Sequence, residues 1–545
     1  MKSNVFRRVG SAAVIALLGS IAGVAMFGVG RADAHAGLEA STPAASSVLD
    51  SSPPLIALNF DEDIEVPLAS ITLYDQNGTL LPLGSPRAGT DGSIVEASVP
   101  TVGDGTYAVV WRVTSADGHV VNGAFSFQIG TGGGVDSAQL INSVLNGARA
   151  EPGVGRGLGF ARFASFLGAA LLIGGLFMVM TADVDAEHAR PTRRLLWCGW
   201  VLLGVAAFAN FALLGANSQA GSISDMFNTS VWGDVAGTRT GGLLLMRLGL
   251  VVAFIPVLLF VNRSQRTWWP LSVPLLGLLT VFTFSGAGHP SVTTPPALWM
   301  GVDAVHFGAI AVWIGALAMM AFGGRAWLRD EHLVRSVKAF SRMATIGIPL
   351  IVISGVVQTW KLAGGFGNLT DTTWGRILLA KSAVAVLLVT LGGASRWLLK
   401  HEGPGGLRRM VITETLCGLA VLGLAAGLVA QPPTLAERSK VFTASLTEAG
   451  VIVDVSITPG RVGSNEVHLV ITPPGGNLTP VVGTTARMSL PARGIPSVPV
   501  TLQASGSNHY TGSITLPFAG EWTLEIVVEP KANQTVLLSS AVPIP

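Results

Sequence analysis

At 545 residues the chain is longer than one hydrophobic core organises, so several domains are expected. Only 12% of the residues are charged and 49% are apolar, with a positive mean hydropathy, the balance of an integral membrane protein. A net charge of +2 without a basic arm argues against a nucleic-acid partner; the two cysteines, Cys198 and Cys417, both in apolar runs, rule out a disulfide framework and a thiolate metal site of standard spacing.

The N-terminus carries Lys2, Arg7 and Arg8, then an apolar run from Ala12 to Val29, then Ala32-Asp33-Ala34. This layout predicts a secretory signal over residues 1–34, cut after Ala34; the alternative is an uncleaved anchor helix. Cleavage there makes His35 the first residue, so that its free α-amine and its imidazole can grip one metal ion together.

Residues 35–130 read as an all-β domain. Runs of alternating or β-rich character at Leu55–Phe60, Ser70–Tyr74, Tyr107–Thr114 and Ala124–Ile129 are separated by Pro, Gly, Asn and Asp, which predicts a small antiparallel sandwich. Within it, Asp117-Gly118-His119 offers a carboxylate and a second imidazole. In extended backbone positions i and i+2 leave on one face. Together with His35 they make a set of two imidazoles, an amine and a carboxylate, donors suited to square-planar Cu(II). Because a metal must displace the proton of the amine, affinity should fall as pH drops. The competing reading makes Asp117-Gly118 an ordinary hairpin turn and His119 a surface residue.

Gly130-Thr-Gly-Gly-Gly134 breaks the strand pattern and opens a linker over residues 131–157. From 158 to 430 there are eight apolar segments of the ~20 residues a bilayer-spanning helix needs. They lie near 158–181, 195–216, 243–262, 271–287, 298–322, 343–361, 377–399 and 410–430, the fourth being the shortest. Alternate loops carry Arg190, Arg193 and Arg194; Arg263 and Arg266; Arg325, Arg329, Arg335, Lys338 and Arg342; and Arg396, Lys400, Arg408 and Arg409. These positives mark the cytoplasmic side. A multi-pass protein of the plasma membrane follows, with both terminal domains on the exterior or periplasmic side.

Ionisable groups within spans are costly and face the bundle interior. His306 lies about two turns into the fifth segment from the outside, with Asp303 one turn above on the same face. His289 sits in the preceding exterior loop, and Met300 and Met246 offer soft thioether donors. These five form a candidate transmembrane metal path. Arg247, Lys381 and Glu414 read as a polar network that holds the helices together. His188, His332 and His401, among basic residues in cytoplasmic loops, read as solvated.

After Gln431-Pro-Pro433 the period returns to two, at Val451–Ile457, Glu466–Ile471, Val498–Gln503, Tyr510–Leu516, Trp522–Val528 and Val536–Leu538. Residues 431–545 are predicted as a second exterior β-domain, again a sandwich. His468 and His509 there have no paired ligand at a useful spacing and read as surface residues.

His35-Ala36, Ser41-Thr-Pro-Ala44, Leu58-Asn-Phe-Asp-Glu62, Thr114-Ser-Ala-Asp-Gly-His119 and Gly123-Ala-Phe-Ser-Phe127 resemble the CopC family of exported copper-binding proteins. Gly288-His-Pro290, Asp303-Ala-Val-His306 leading to Val312-Trp-Ile-Gly315, Phe340-Ser-Arg342, Ser354-Gly355, Gly375-Arg376 with Lys381, and Glu414 resemble CopD. Leu516-Pro-Phe-Ala-Gly-Glu-Trp522 is similar, more weakly, to YtkA-like exterior domains. The resemblance covers nearly the whole mature chain, in the order of a CopC–CopD fusion. It implies Glu62 as a residue orienting His35, and inward movement of copper. The chain departs from the CopC proteins that add a Met-rich Cu(I) site, since no methionine occurs between His35 and Phe177. A single Cu(II) in the N-terminal domain is expected.

The function expected is therefore non-enzymatic copper handling: the exterior domain binds Cu(II) and the bundle moves copper, with import favoured. Its partners are the copper ion and the lipid bilayer, with room for an exterior copper chaperone or reductase. No ATPase signature is present. The alternatives are a copper buffering or resistance module without transport and, remotely, a histidine-brace oxidative enzyme.

Overall fold

The computed structural model describes residues 37–44, 47–60, 62–130, 140–141, 143–144, 150–182, 190–260, 269–323, 330–366, 369–370, 372–402, 407–431, 442–458, 460, 462–473, 480–506 and 508–544. The chain divides into a helical unit and a β unit, the latter holding the N-terminal and C-terminal β-domains.

The N-terminal domain is a sandwich of two sheets. Its strands are β1 (Leu38–Thr42), β2 (Val48–Leu49), β3 (Leu55–Phe60), β4 (Ser70–Tyr74), β5 (Leu80–Leu81), β6 (Arg87–Ala88), β7 (Ile94–Ser98), β8 (Gly105–Thr114) and β9 (Val120–Ile129). One sheet runs β1-β3-β7-β6 and the other β2-β9-β8-β4-β5. Strict alternation in β3 sends Ile56, Leu58 and Phe60 inward. Phe60 meets Trp111 of β8 edge to face across the sandwich, with ring centroids 5.2 Å apart. Truncating either to Ala would cost about 3–5 kcal/mol. Gly123, opposite Trp111 on β9, makes room for the indole, since a Cβ there would run into the ring. Unlike the other strands, β8 is buried on both faces. Leu140 and Val144, within the expected linker, pack against its Ala108 and Val110.

The helical unit contains α1 (Pro152–Ala182), α2 (Arg190–Ser218), α3 (Arg239–Leu259), α4 (Trp269–Ser285), α5 (Pro296–Phe322), α6 (Asp330–Ala363), α7 (Thr373–Glu402) and α8 (Leu407–Val429). Among the described residues seven of these are long and apolar enough to cross a membrane; the eighth, α4, has 17 residues and was the shortest expected segment. At the centre α1 and α5 approach backbone to backbone. Gly174 faces the Ala311 carbonyl and Gly315 the Ala170 carbonyl so closely that neither position has space for a Cβ. Small residues permit such contact between helices where apolar burial against lipid gives no drive for association. In α1 the turn at the contact, Ala170–Gly174, is widened to a π-helix.

The C-terminal domain is a single eight-stranded antiparallel sheet of β10 (Phe442–Glu448), β11 (Val451–Thr458), β12 (Gly463–Thr472), β13 (Gly483–Leu490), β14 (Ile495–Gly506), β15 (His509–Leu516), β16 (Gly520–Lys531) and β17 (Gln534–Ile544). Its order is β10-β11-β12-β15-β14-β13-β16-β17. The terminal strands β10 and β17 touch, so the sheet curls like a barrel around Val453, Leu469, Met488, Ile526 and the fully buried Trp522. Two of these strands, β10 and β13, were not among the expected runs, because Thr, Ser and Arg dilute their apolar alternation.

Candidate metal centre

The link from β8 to β9 carries the expected exterior ligands. Ser115 pairs with Ile64 as an isolated bridge, and the chain then turns through Ala116-Asp117-Gly118, closed by Gly118 N–H donating to Ser115 O at 2.8 Å. Gly118 has φ +86°, a left-handed conformation that glycine adopts without strain. Asp117 and His119 thus meet through a turn and not through extended backbone. The turn does not leave His119 on the surface: Asp117 is 2% and His119 5% exposed.

One carboxylate oxygen organises the loop. Asp117 Oδ1 lies 2.9 Å from His119 Nδ1, accepts the His119 backbone N–H at 3.1 Å, and accepts the Ser115 hydroxyl in a very short hydrogen bond. With Nδ1–H held by a carboxylate, the lone pair of the imidazole falls on Nε2, the arrangement in which a ligating histidine is oriented by an outer carboxylate. Ser115, which the sequence reading passed over, is part of this network. Asp117 was expected as a direct ligand; its Oδ1 here holds the turn and the His119 ring.

Glu62 lies at the bend after β3, half-buried, two residues before Ile64. The backbone fixes it beside the loop, since Ala116 N–H donates to Asp63 O at 3.0 Å. The first strand of the domain enters at Leu38, opposite Phe60. His35 itself lies outside the described residues.

In the helical unit, His306 Nδ1 is 3.0 Å from Ile351 O and 2.9 Å from Ser354 Oγ, both on α6. Gly355, one residue further, leaves space for the imidazole edge, because a Cβ there would stand 3.0 Å from His306 Cε1. Asp303 accepts the Ser285 hydroxyl of α4 at 2.7 Å and lies within electrostatic reach of Lys381 on α7, as does His306. The structure therefore gathers Asp303, His306 and Lys381 into one polar locus joining four helices. Lys381 was expected in a separate structural set. His289 is buried in a short 3-10 turn, His289–Ser291, and its carbonyl accepts the Thr293 hydroxyl at 2.8 Å.

Arg247 is buried, donates to Thr283 Oγ1 and to Thr283 O at 2.9 Å each, and lies 3.6 Å from the centroid of the Phe284 ring. Glu414 of α8 accepts a very short hydrogen bond from Ser395 of α7. Arg247 thereby links α3 to α4, and Glu414 links α8 to α7. Met246 does not fit a metal path, because it is exposed on the outside of α3 while its neighbour Arg247 points inward. Met300 is half-buried near the start of α5.

The C-terminal domain corrects the reading of His468 and His509 as single surface residues. β12 pairs with β15 so that His468 stands opposite Thr511 and His509 opposite Val470, which makes the two imidazoles diagonal neighbours on one face, with ring centroids 6.0 Å apart. His509 is 3% exposed. Burial, with His468 adding to it, pushes its imidazole down to about 4, so it is neutral at pH 7.

Comparison with known proteins supplies the class. A CopC domain model matches residues 38–130, a model described as Copper resistance protein D-like, N-terminal domain, matches 156–294, and Copper resistance protein D matches 334–428. The chain belongs to the copper resistance family in which a CopC domain and a CopD domain share one polypeptide. It is 24% identical to Copper transport protein CutJ of Bacillus subtilis over 464 residues, 82% of this chain and 83% of that protein. It is 31% identical to Protein YobA of Escherichia coli K12 over 98 residues, 18% of this chain and 79% of YobA. Among solved structures, CopC from Methylosinus trichosporium OB3b is 30% identical and aligns over 17% of this chain and 93% of its own, with a TM-score of 0.17. Where these names state a role, it is copper transport or copper resistance and not an enzymatic activity.

Proposed function

We propose that the N-terminal domain captures Cu(II) outside the membrane and that the helical domain carries copper inward. The observation that bears most weight is the buried Asp117–His119 pair, with the imidazole Nδ1 held 2.9 Å from the carboxylate, in a domain matched to CopC. The remaining donors are the amine and imidazole of His35 after removal of residues 1–34. Three residues of chain reach at most ~10 Å, and the strand into which they lead, β1, lies beside the strand that ends next to Glu62. Imidazole, amine and carboxylate donors suit Cu(II).

The orientation follows from charge. Arg190, Arg193 and Arg194 open α2, Arg335, Lys338 and Arg342 lie in the first half of α6, Arg396 lies late in α7 and Arg409 opens α8, all on one side of the membrane if every helix crosses it. That side is cytoplasmic, which leaves both β-domains outside. Inside the bundle, Asp303 and His306 are the groups a cation would meet, with Lys381 setting the charge balance. Facilitated movement down a gradient needs no ATPase motif, and the chain has none.

The test is Cu(II) binding by the purified protein against a competing chelator. His119→Ala should abolish the tight N-terminal site. Retention of that site at wild-type affinity would remove the loop from copper capture.

A further inference from the structure

The helical polar locus and the β8–β9 loop belong to the reading above, but the histidine pair of the C-terminal sheet does not. Three observations set it apart. The rings come from strands β12 and β15, adjacent in the sheet, and lie 6.0 Å apart between centroids with planes 28° from parallel. His509 Nε2 and His468 Nδ1 are both buried without a hydrogen-bond partner among the described residues. Third, His468 Nε2 is 3.1 Å from Glu466 Oε1, two residues back on the same face of β12.

The Glu466 contact decides the tautomer. A carboxylate accepts, so Nε2 of His468 carries the proton and Nδ1 keeps the lone pair. An outer carboxylate of this kind orients metal-bound histidines and raises their basicity. Buried polar atoms in folded proteins find partners as a rule. Two imidazole nitrogens bare together on one sheet face are an exception that a shared cation resolves. Two imidazoles on opposite sides of one ion, with metal–nitrogen bonds of ~2.0 Å, have ring centres about 6 Å apart. Trans imidazoles in a tetragonal N,O set are a Cu(II) arrangement. Glu466, with a side chain 49% exposed, stands at the solvent edge of the pair.

We propose that His468 Nδ1 and His509 Nε2 form a second copper site, in the C-terminal domain, with Glu466 as a positioning residue. It stands independently of the N-terminal site, and the experiment separates them. The full-length protein in detergent is loaded with CuSO4, passed over a desalting column, and read by metal content and by the electron paramagnetic resonance spectrum. Two Cu(II) per chain are expected in the wild type, one in His119→Ala, one in His468→Ala, and none when the two substitutions are combined. Because His509 is buried and its replacement endangers folding, a second measurement uses the unaltered chain: Cu(II) should protect the partly exposed His468 from diethyl pyrocarbonate, read by peptide mass spectrometry. Glu466→Gln should keep the fold and weaken the second copper about tenfold. A His119→Ala protein that holds no copper overturns the proposal. So does copper that survives in the combined variant, or equal labelling of His468 with and without Cu(II).

Discussion

Replacing Asp117 by Asn tests the loop geometry more finely than removal of a ligand. In the wild type one oxygen, Oδ1, serves the Ser115 hydroxyl, the His119 amide at 3.1 Å and His119 Nδ1 at 2.9 Å. Hydrogen bonds to a charged group contribute about 1.5–3 kcal/mol and neutral ones about 1 kcal/mol, so each of the three should weaken by roughly 1 kcal/mol. Two of them hold the turn, which should lower the stability of the domain by about 2 kcal/mol. The third orients the imidazole, and its loss should appear in copper affinity as a fall of ~10–100-fold, the range for outer-shell partners of a ligating histidine. Chelator-competition titration of the purified protein, with His468→Ala included to silence the C-terminal pair, reads that affinity. The nitrogen hyperfine pattern in the spectrum should persist, because His119 still binds. A dissociation constant within twofold of the parent would refute the assignment of Asp117 Oδ1 as the group that orients His119.

Further outcomes follow from the same structure. His306→Ala should lower cellular copper while leaving exterior Cu(II) binding unchanged; undiminished accumulation under copper scarcity would take His306 out of the path. Gly315→Ala places a methyl against the Ala170 carbonyl of α1, and overpacking of about 1–3 kcal/mol should lower the melting temperature in detergent; an unaltered melt would show that α1 and α5 are not held in this contact. Gly123→Val should unfold the N-terminal domain preferentially, because its side chain meets the Trp111 ring; hydrogen exchange would show β8 and β9 losing protection while β16 keeps it.

What the residues disclosed depended on how local the determining pattern is. Leu55–Phe60 alternates so strictly that strand and inward face follow together, and the apolar helices declared themselves by length, α4 being short in sequence and structure alike. Met246 shows the limit. Rotation about a helix moves successive residues by roughly 100°, so Met246 can face outward while Arg247 faces Thr283, and no hydropathy window resolves which of two neighbours points inward. Ser285, Ser354 and Ser395 were invisible as partners because a serine in a helix carries no sign of what stands opposite it. The His468–His509 pair escaped for a stronger reason: β12 pairs with β15, not with its neighbour in sequence, so the two rings meet only once the sheet order is known. The competing reading of Asp117-Gly118-His119 as a hairpin turn with a surface histidine holds for the turn alone: the loop turns at Gly118, and it buries His119.

The most direct test of copper capture feeding inward transport is the copper content of cells that lack the chromosomal gene and carry either the wild-type chain or His119→Ala, grown with copper scarce. The wild type should restore intracellular copper and His119→Ala should not, at equal protein abundance. Equal copper in the two strains, with only the sensitivity to excess copper differing, would contradict import and identify the exterior domain as a buffer.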